Sequence, residues 1–232
     1  MRSEKRQHRE EAILDKTQDL IAEFGFFELK MSDLARACDI AVGTLYAHFA
    51  SKEDLLIGLA SRAVMRRTAF FETARAHDGP AIEKFIVASL LDVRFSIRHP
   101  ELFEAEYLAL APSIWNRATV ARHQQLLAQI DQMTRMFQAF LEEAAQDTDH
   151  TDQGGTAPDR TGILNIGSWA LGFGMNALGQ SDVTVAHYGT MLRDRSEQTY
   201  CDCLTDLLIG AGMAGDAARQ SVARIAARYL DV

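Results

Sequence analysis

Residues 30–54 read KMSDLARACDIAVGTLYAHFASKED, and this stretch decides the fold because it holds two short helical patterns joined by a tight turn. In residues 32–38 and again in residues 43–49, apolar side chains recur three or four positions apart, the spacing of one helical face. Asp39 suits the turn because aspartate tolerates a left-handed backbone. Helices this short are unstable alone, so the flanking segments must pack on them.

The second of these helices carries no acidic side chain. With Leu45 and Phe49 facing inward, the outward positions are hydrogen-bonding, aromatic or small, and Lys52 follows closely. Carboxylates would be repelled by phosphates, whereas this set of side chains suits the major groove of DNA. The pattern therefore predicts a helix-turn-helix whose second helix reads DNA.

A larger signature surrounds this motif. GTLYAHFASKEDLL at residues 43–56 occurs together with Phe24-Gly25-Phe26 and Asp33-Leu34-Ala35. From about residue 13 to residue 59 the chain thus resembles the TetR family of bacterial transcriptional regulators. By position, the resemblance implies that nine residues contact DNA: Lys30, Ser32, Val42, Gly43, Thr44, Tyr46, Ala47, His48 and Lys52.

Two residues depart from the family pattern. Lys30 stands where the family usually has a threonine that caps a helix and touches phosphate, and Ala41 replaces a frequent serine. Lysine can reach a phosphate but cannot cap a helix, and alanine can do neither. We therefore expect both helices of the motif to begin without a side-chain cap.

The composition predicts an all-α protein, with four prolines, a 47% hydrophobic fraction and no long alternating stretch. We expect a three-helix DNA-binding domain at residues 1–50, a connecting helix at 51–76, and a larger helical ligand-binding and dimerisation domain at 77–232. The remaining predicted helices are 9–24, 81–97, 101–110, 113–146, 160–179, 183–210 and 216–230, with an exposed loop at 147–159.

The net charge of -8 is unevenly distributed. Residues 1–75 hold 12 basic and 12 acidic side chains, so the whole acidic excess lies in residues 76–232. The first nine residues, MRSEKRQHR, carry four Lys and Arg against one Glu. They are either a mobile basic arm along DNA or a disordered solubilising tail, and the sequence leaves both open.

Residues 80–179 are rich in methionine and aromatic side chains. Taken singly, each is best explained as core. Together they predict an apolar effector pocket lined by Phe103, Tyr107, Trp115, Met133, Phe137, Trp169, Phe173 and Asn176. The family resemblance implies that a ligand there tilts the helix at 51–76 and moves the recognition helices out of register on DNA.

Residues 172–177 formally match G-x-G-x-x-A, but no strand precedes them, which argues against a nucleotide site. Their helical spacing instead predicts a flat stripe for close helix packing, formed by Ser168, Gly172, Met175 and Gly179. The resemblance implies that two late helices pair with their copies. A twofold dimer would place two recognition helices on a palindromic operator.

Three cysteines and seven histidines show neither a disulfide framework nor a metal-ligand spacing, so we expect no metal and no cofactor. The charged N-terminus lacks a signal core, and the most apolar run is too short and polar to span a membrane, which favours the cytoplasm. Three functions remain open: a repressor released by an apolar or amphipathic effector, a DNA binder controlled by a protein partner or by nothing, and a helical enzyme or cofactor-binding protein.

Overall fold

The computed structural model describes residues 2–147 and 160–230, and the regular structure within these ranges is helical. The all-α class predicted from the sequence is confirmed. In chain order the elements are α1 (Arg2–Phe24), α2 (Met31–Ala37), α3 (Val42–His48), α4 (Lys52–Arg75), α5 (Ala81–Arg98), α6 (Pro100–Ala109), α7 (Pro112–Trp115), α8 (Val120–Asp147), α9 (Arg160–Gly179), α10 (Asp182–Gly189), a π-helical segment (Thr190–Asp194), α11 (Ser196–Gly210) and α12 (Gly215–Tyr229).

The chain folds into two compact units. The N-terminal unit comprises Met1–Arg66 and His99–Ile130, and the C-terminal unit comprises Arg67–Arg98 and Asp131–Val232. The sequence placed a boundary at residues 77–80, whereas the chain passes from one unit to the other within α4, between α5 and α6, and within α8. A Gly-Pro break ends a helix, but membership of a unit follows side-chain packing, which a local break does not encode.

The helix-turn-helix in the N-terminal unit forms where the sequence placed it. Asp39 adopts a φ of 52° in the turn between α2 and α3, and Gly25 ends α1 with a φ of 80°. Leu45 of α3 and the adjoining Phe49 are fully buried. The Ser51 hydroxyl caps α4 by accepting the Asp54 N–H at 3.0 Å, whereas α2 and α3 begin at Lys30 and Ala41 without a side-chain cap, as expected.

Three helix boundaries differ from the sequence prediction. Residues 2–8 continue α1, so this part of the basic N-terminus is helical, and its contact with DNA stays a prediction. The helix expected at 113–146 is interrupted by a turn between α7 and α8, and the one expected at 183–210 is interrupted at Tyr188 and the π-helical segment. Of the loop expected at 147–159, residue 147 ends α8 and the rest lies outside the described residues.

The C-terminal unit has a core of buried side chains from α5, α8, α9, α11 and α12. The last helix is fastened to it by a buried polar network. His77 lies 3.1 Å from both the Tyr229 hydroxyl and the Glu83 carboxylate, and Ser221 donates to Glu83 at 3.0 Å. This network gives α12 a structural role. None of the described helices is long and apolar enough to cross a bilayer.

Candidate nucleic-acid interface

The outer face of α3 is available to a large ligand. Val42 and Tyr46 are 42% and 48% exposed, and Gly43 and Ala47 are also exposed, whereas Thr44 is half-buried. The helix is held from behind by buried apolar side chains, and no acid lies in its first turn. This arrangement presents short and aromatic side chains on a fixed helix, which is the form that fits the major groove.

Gly43 is open on its outer side. A Cβ built there would meet no atom within 4 Å, so the fold itself does not require glycine at this position. At the start of α2, Lys30 and Ser32 are exposed as well. These residues are free to approach a partner without rearrangement of the unit.

His48 is less accessible than the sequence predicted. Its side chain is 11% exposed, and Nδ1 lies 3.4 Å from a carboxylate oxygen of Glu10 in α1. The histidine is therefore committed to a contact inside the unit. In this structure the His48 side chain therefore lies sideways against α1, and its contact with DNA stays a prediction.

Lys52 is likewise engaged inside the unit. Its Nζ donates to the Phe27 carbonyl at 2.8 Å and lies 4.6 Å from the centroid of the Phe26 ring. Burial lowers the pKa of Lys52, against the opposing charges of Glu53 and Glu28. To contact a phosphate, as the sequence predicted, this lysine would have to exchange its carbonyl partner for the phosphate.

A carboxylate whose partners the sequence does not reveal organises the start of α4. Asp54 is 3% exposed and accepts hydrogen bonds from the Thr119 backbone N–H at 2.7 Å, the Thr119 hydroxyl at 3.2 Å and the Ala50 N–H at 3.1 Å. The turn before α8 is thereby attached to the junction between α3 and α4. Nothing in the spacing of residues 54 and 119 signals this pairing.

Arg122, also missed, attaches α8 to the recognition helix itself. Its Nη2 donates to Glu10 at 2.9 Å and to the His48 carbonyl at 3.1 Å, and the guanidinium lies 4.5 Å from the Phe49 ring centroid. Burial raises the pKa of Glu10, but the hydrogen bond and charge of Arg122, helped by Arg6 and His48, bring this pKa below its ordinary value.

The predicted effector-pocket residues divide between the units. In the N-terminal unit, Phe103 is buried, Tyr107 is exposed and Trp115 stacks on His123 with ring centroids 4.1 Å apart. The other five belong to the C-terminal unit: Met133, Phe137, Trp169, Phe173 and Asn176. A single pocket lined by all eight stays a prediction.

Within the C-terminal unit, the five residues have different environments. Met133 and Phe137 are half-buried at the edge of the core, and the Phe137 ring lies 4.7 Å from that of Phe71. Trp169 is 46% exposed and its ring lies 5.3 Å from that of Phe173. Asn176 donates to a carbonyl of its own helix, at Gly172.

The small-residue stripe of α9 packs partly against its own chain. Ser168 and Gly172 are buried, and a Cβ at Gly172 would lie 2.6 Å from a methyl of Val93 in α5. Gly179 faces the backbone of Leu192, and Met175 packs against the core of the unit. Ser168 and Gly172 are thus used for close packing within the chain, and the assignment of the stripe to a dimer interface stays a prediction.

Comparison with known proteins agrees with the helix-turn-helix. Residues 13–59 match the family model described as bacterial regulatory proteins, tetR family. The chain is 28% identical over 152 residues to the HTH-type transcriptional repressor KstR of Mycolicibacterium smegmatis, covering 65% of this chain and 69% of the relative. For the Mycobacterium tuberculosis KstR the identity is 27%, and the match spans 64% of that protein.

A third relative matches over a short stretch. The fatty acid metabolism regulator protein of Bacillus subtilis is 40% identical over 47 residues, or 20% of this chain and 24% of the relative.

Solved structures share the fold. Mycobacterium smegmatis AmtR superimposes with a TM-score of 0.56 at 17% identity, covering 93% of this chain and 91% of that one. Bacillus subtilis FadR, solved in complex with stearoyl-CoA, superimposes with a TM-score of 0.55 at 17% identity, covering 78% of this chain and 96% of that one. Over its helix-turn-helix the chain resembles the tetR family of bacterial regulatory proteins, which supports a DNA-binding transcriptional regulator.

Proposed function

We propose that this protein is a homodimeric, ligand-responsive repressor that binds a palindromic operator in the cytoplasm. The observation that carries the proposal is the exposed, acid-free face of α3, with Gly43 open to solvent on a helix anchored by Leu45 and Phe49. The KstR relatives are named as repressors, which supports repression rather than activation by this protein.

The decisive experiment is selection of genomic DNA fragments by the purified protein, followed by sequencing. Enrichment of a palindrome, with binding that weakens as salt rises, is the expected result. Tyr46→Ala should abolish the enrichment while its melting temperature stays that of the wild type, because this side chain is half-exposed. Fragments enriched without any shared motif would overturn sequence-specific regulation.

The proposed dimer face lies on α9, opposite the buried stripe. Ile163, Ile166 and Trp169 are 47%, 59% and 46% exposed, and their spacing of three residues puts them on one side of the helix. Exposed apolar groups in such a row are typical of surfaces that bind a partner. Pairing of two copies about a twofold axis would supply the second recognition helix.

Ile166→Asp tests this face. We expect the mass measured by sedimentation equilibrium to fall from that of a dimer to that of a monomer. Val120→Asp is the matched control, because Val120 is 67% exposed and lies on α8, in the other unit. A monomeric wild type, or an Ile166→Asp variant that stays dimeric, would contradict the proposed interface.

The proposed effector is an amphipathic molecule with a long apolar part that binds the C-terminal unit. Phe137 is half-buried, with its ring 4.7 Å from Phe71 and 6.0 Å from Phe85, so an aromatic surface lies at the edge of the core. Such side chains favour apolar ligands. A ligand acts on DNA binding only through its different affinities for the two states of the protein.

Stearoyl-CoA is the first probe, since a fold neighbour was solved with it, and coenzyme A without the acyl chain is the control. Stearoyl-CoA should raise the melting temperature and release the selected operator, and Met133→Ala should reduce both effects. If no acyl compound changes operator binding, control by a protein partner or constitutive binding becomes the better account.

A further inference from the structure

A basic cleft lies beside the helix-turn-helix, between the first half of α1 and the turn that joins α2 to α3. Its volume is about 590 Å³. Charged or titratable side chains of α1 form one wall, and the turn around Asp39 forms the other. The lining residues are Lys5, His8, Arg9, Ala12, Ile13, Lys16, Ala37, Cys38, Asp39 and Ile40.

The cations in this cleft are largely uncommitted. Lys5, His8 and Arg9 form no hydrogen bond or ion pair with any other described residue, and all three are exposed. Lys16 pairs with Asp19 at 3.2 Å on the exposed surface. Among the lining residues three are fully cationic and one is acidic, so the cleft attracts an anion.

The acids of the same part of α1 are held elsewhere. Glu10 is bound by Arg122, and Glu11 and Asp15 are both bound by Arg62 at 2.7 Å. Their negative charge is thus compensated within the unit. This segregation leaves the opposite side of α1 basic, although residues 2–17 carry four acids against only five cations.

The same helix touches the recognition helix. Arg6, one residue from the cleft wall, donates to the Ala47 carbonyl at the end of α3 at 3.3 Å. Seven of the ten lining side chains are exposed, so the cleft is open and would not enclose a small molecule. Pockets for small ligands bury most of the ligand surface, whereas a phosphate on a polymer needs only charge and access.

We propose that this cleft holds a phosphate of the operator backbone, with Lys5 and Arg9 as its cationic ligands. The inference rests on the proposed DNA-binding function and extends the contact surface beyond residues 13–59, the part that matches the family model. The contact carries no sequence information. It adds affinity and sets the orientation of α3, as phosphate contacts do.

The test measures the salt dependence of binding to a duplex carrying the selected palindrome, by fluorescence anisotropy between 50 and 200 mM KCl. Each lost phosphate contact should reduce the slope of log K against log salt by about 0.9, which is about threefold in affinity over this range. Lys5→Ala and Arg9→Ala should each do so. Arg219→Ala, which removes an exposed cation from α12, should leave the slope unchanged.

Three outcomes separate the possibilities. Slopes for the α1 variants equal to that of Arg219→Ala would overturn the proposal. Binding of inorganic phosphate would also overturn it, if Arg9→Ala abolishes that binding and leaves operator binding unchanged. The cleft would then bind a free anion rather than the operator backbone. If the wild-type protein shows no salt-dependent binding to any duplex, the proposed function itself fails. Thermal melts of each variant serve as the control against misfolding.

Discussion

The guanidinium of Arg122 lies 3.1 Å from the backbone carbonyl of His48, the last residue of the recognition helix. Carbonyls at a helix C-terminus lack partners within the helix, so a cation there satisfies one of them and interacts well with the helix dipole. Through this bond, a residue 74 positions further along the chain holds the end of the helix that reads DNA.

Replacing Arg122 should weaken both the fold and operator binding. Arg122→Ala removes the bonds to Glu10 and to the His48 carbonyl, and hydrogen bonds to charged groups are worth about 1.5–3 kcal/mol. We expect the free energy of unfolding to fall by about that amount in urea titrations, together with a weaker operator affinity. Arg117→Ala is the control, since Arg117 is 73% exposed in its pair with Glu53 and should cost under about 1 kcal/mol. Equal effects of the two changes would refute the coupling.

The link between Glu10 and Arg122 should depend on pH. A carboxyl whose pKa is lower in the folded than in the unfolded state stabilises the fold at pH values above its unfolded-state pKa, here 4.5. This contribution is lost as the pH falls through the folded-state pKa. Glu10→Gln should therefore lower the melting temperature at pH 7. The difference in melting temperature from the wild type should decrease steadily below pH 4.5. A gap independent of pH would show that the charge of Glu10 contributes nothing.

Gly43 should matter for DNA and not for folding. Because a Cβ there meets nothing within 4 Å, Gly43→Val should leave the melting temperature nearly unchanged while reducing operator affinity at least tenfold by blocking the groove. Gly58→Val is the contrast, since a Cβ at Gly58 would lie 3.0 Å from the Phe49 ring and 3.2 Å from Leu14. That variant should unfold more readily. Normal operator binding by Gly43→Val would remove Gly43 from the interface.

Two glycines of α9 should respond in opposite ways. Gly172→Ala places a methyl 2.6 Å from Val93 in a packed core, and overpacking of this kind costs about 1–3 kcal/mol. Gly174→Ala meets no atom within 4 Å, so it should be neutral or stabilise the helix by up to about 1 kcal/mol. Urea titrations distinguish them. If Gly172→Ala instead raised the dimer dissociation constant at unchanged stability, the stripe would be a subunit interface after all.

The local features of the helix-turn-helix could be predicted because they depend on neighbouring residues. Helical spacing, the left-handed Asp39, the Ser51 cap and the uncapped starts of α2 and α3 are each determined within about four positions. The exposed position of Tyr46 followed for the same reason. The inward orientation of Leu45 and Phe49 defined the opposite, outward face of α3.

Contacts between distant segments could not be predicted in this way. The helical spacing of Ser168 and Gly172 shows that something packs closely on them, but the same stripe fits a partner subunit and the chain's own α5 equally well. His48 and Lys52 look free in the sequence because their partners, Glu10 and the Phe27 carbonyl, lie 38 and 25 positions away.

The sequence by itself determined the helical class, the DNA-reading motif and the identity of the side chains on the face of α3, because helix periodicity and turn chemistry are local. Only the tertiary structure decided which cations remain free and which are bound. Arg122 and Arg62 are held by acids of α1, whereas Lys5 and Arg9 are not. Pairing of charges depends on distances in space, and those are set when the helices pack.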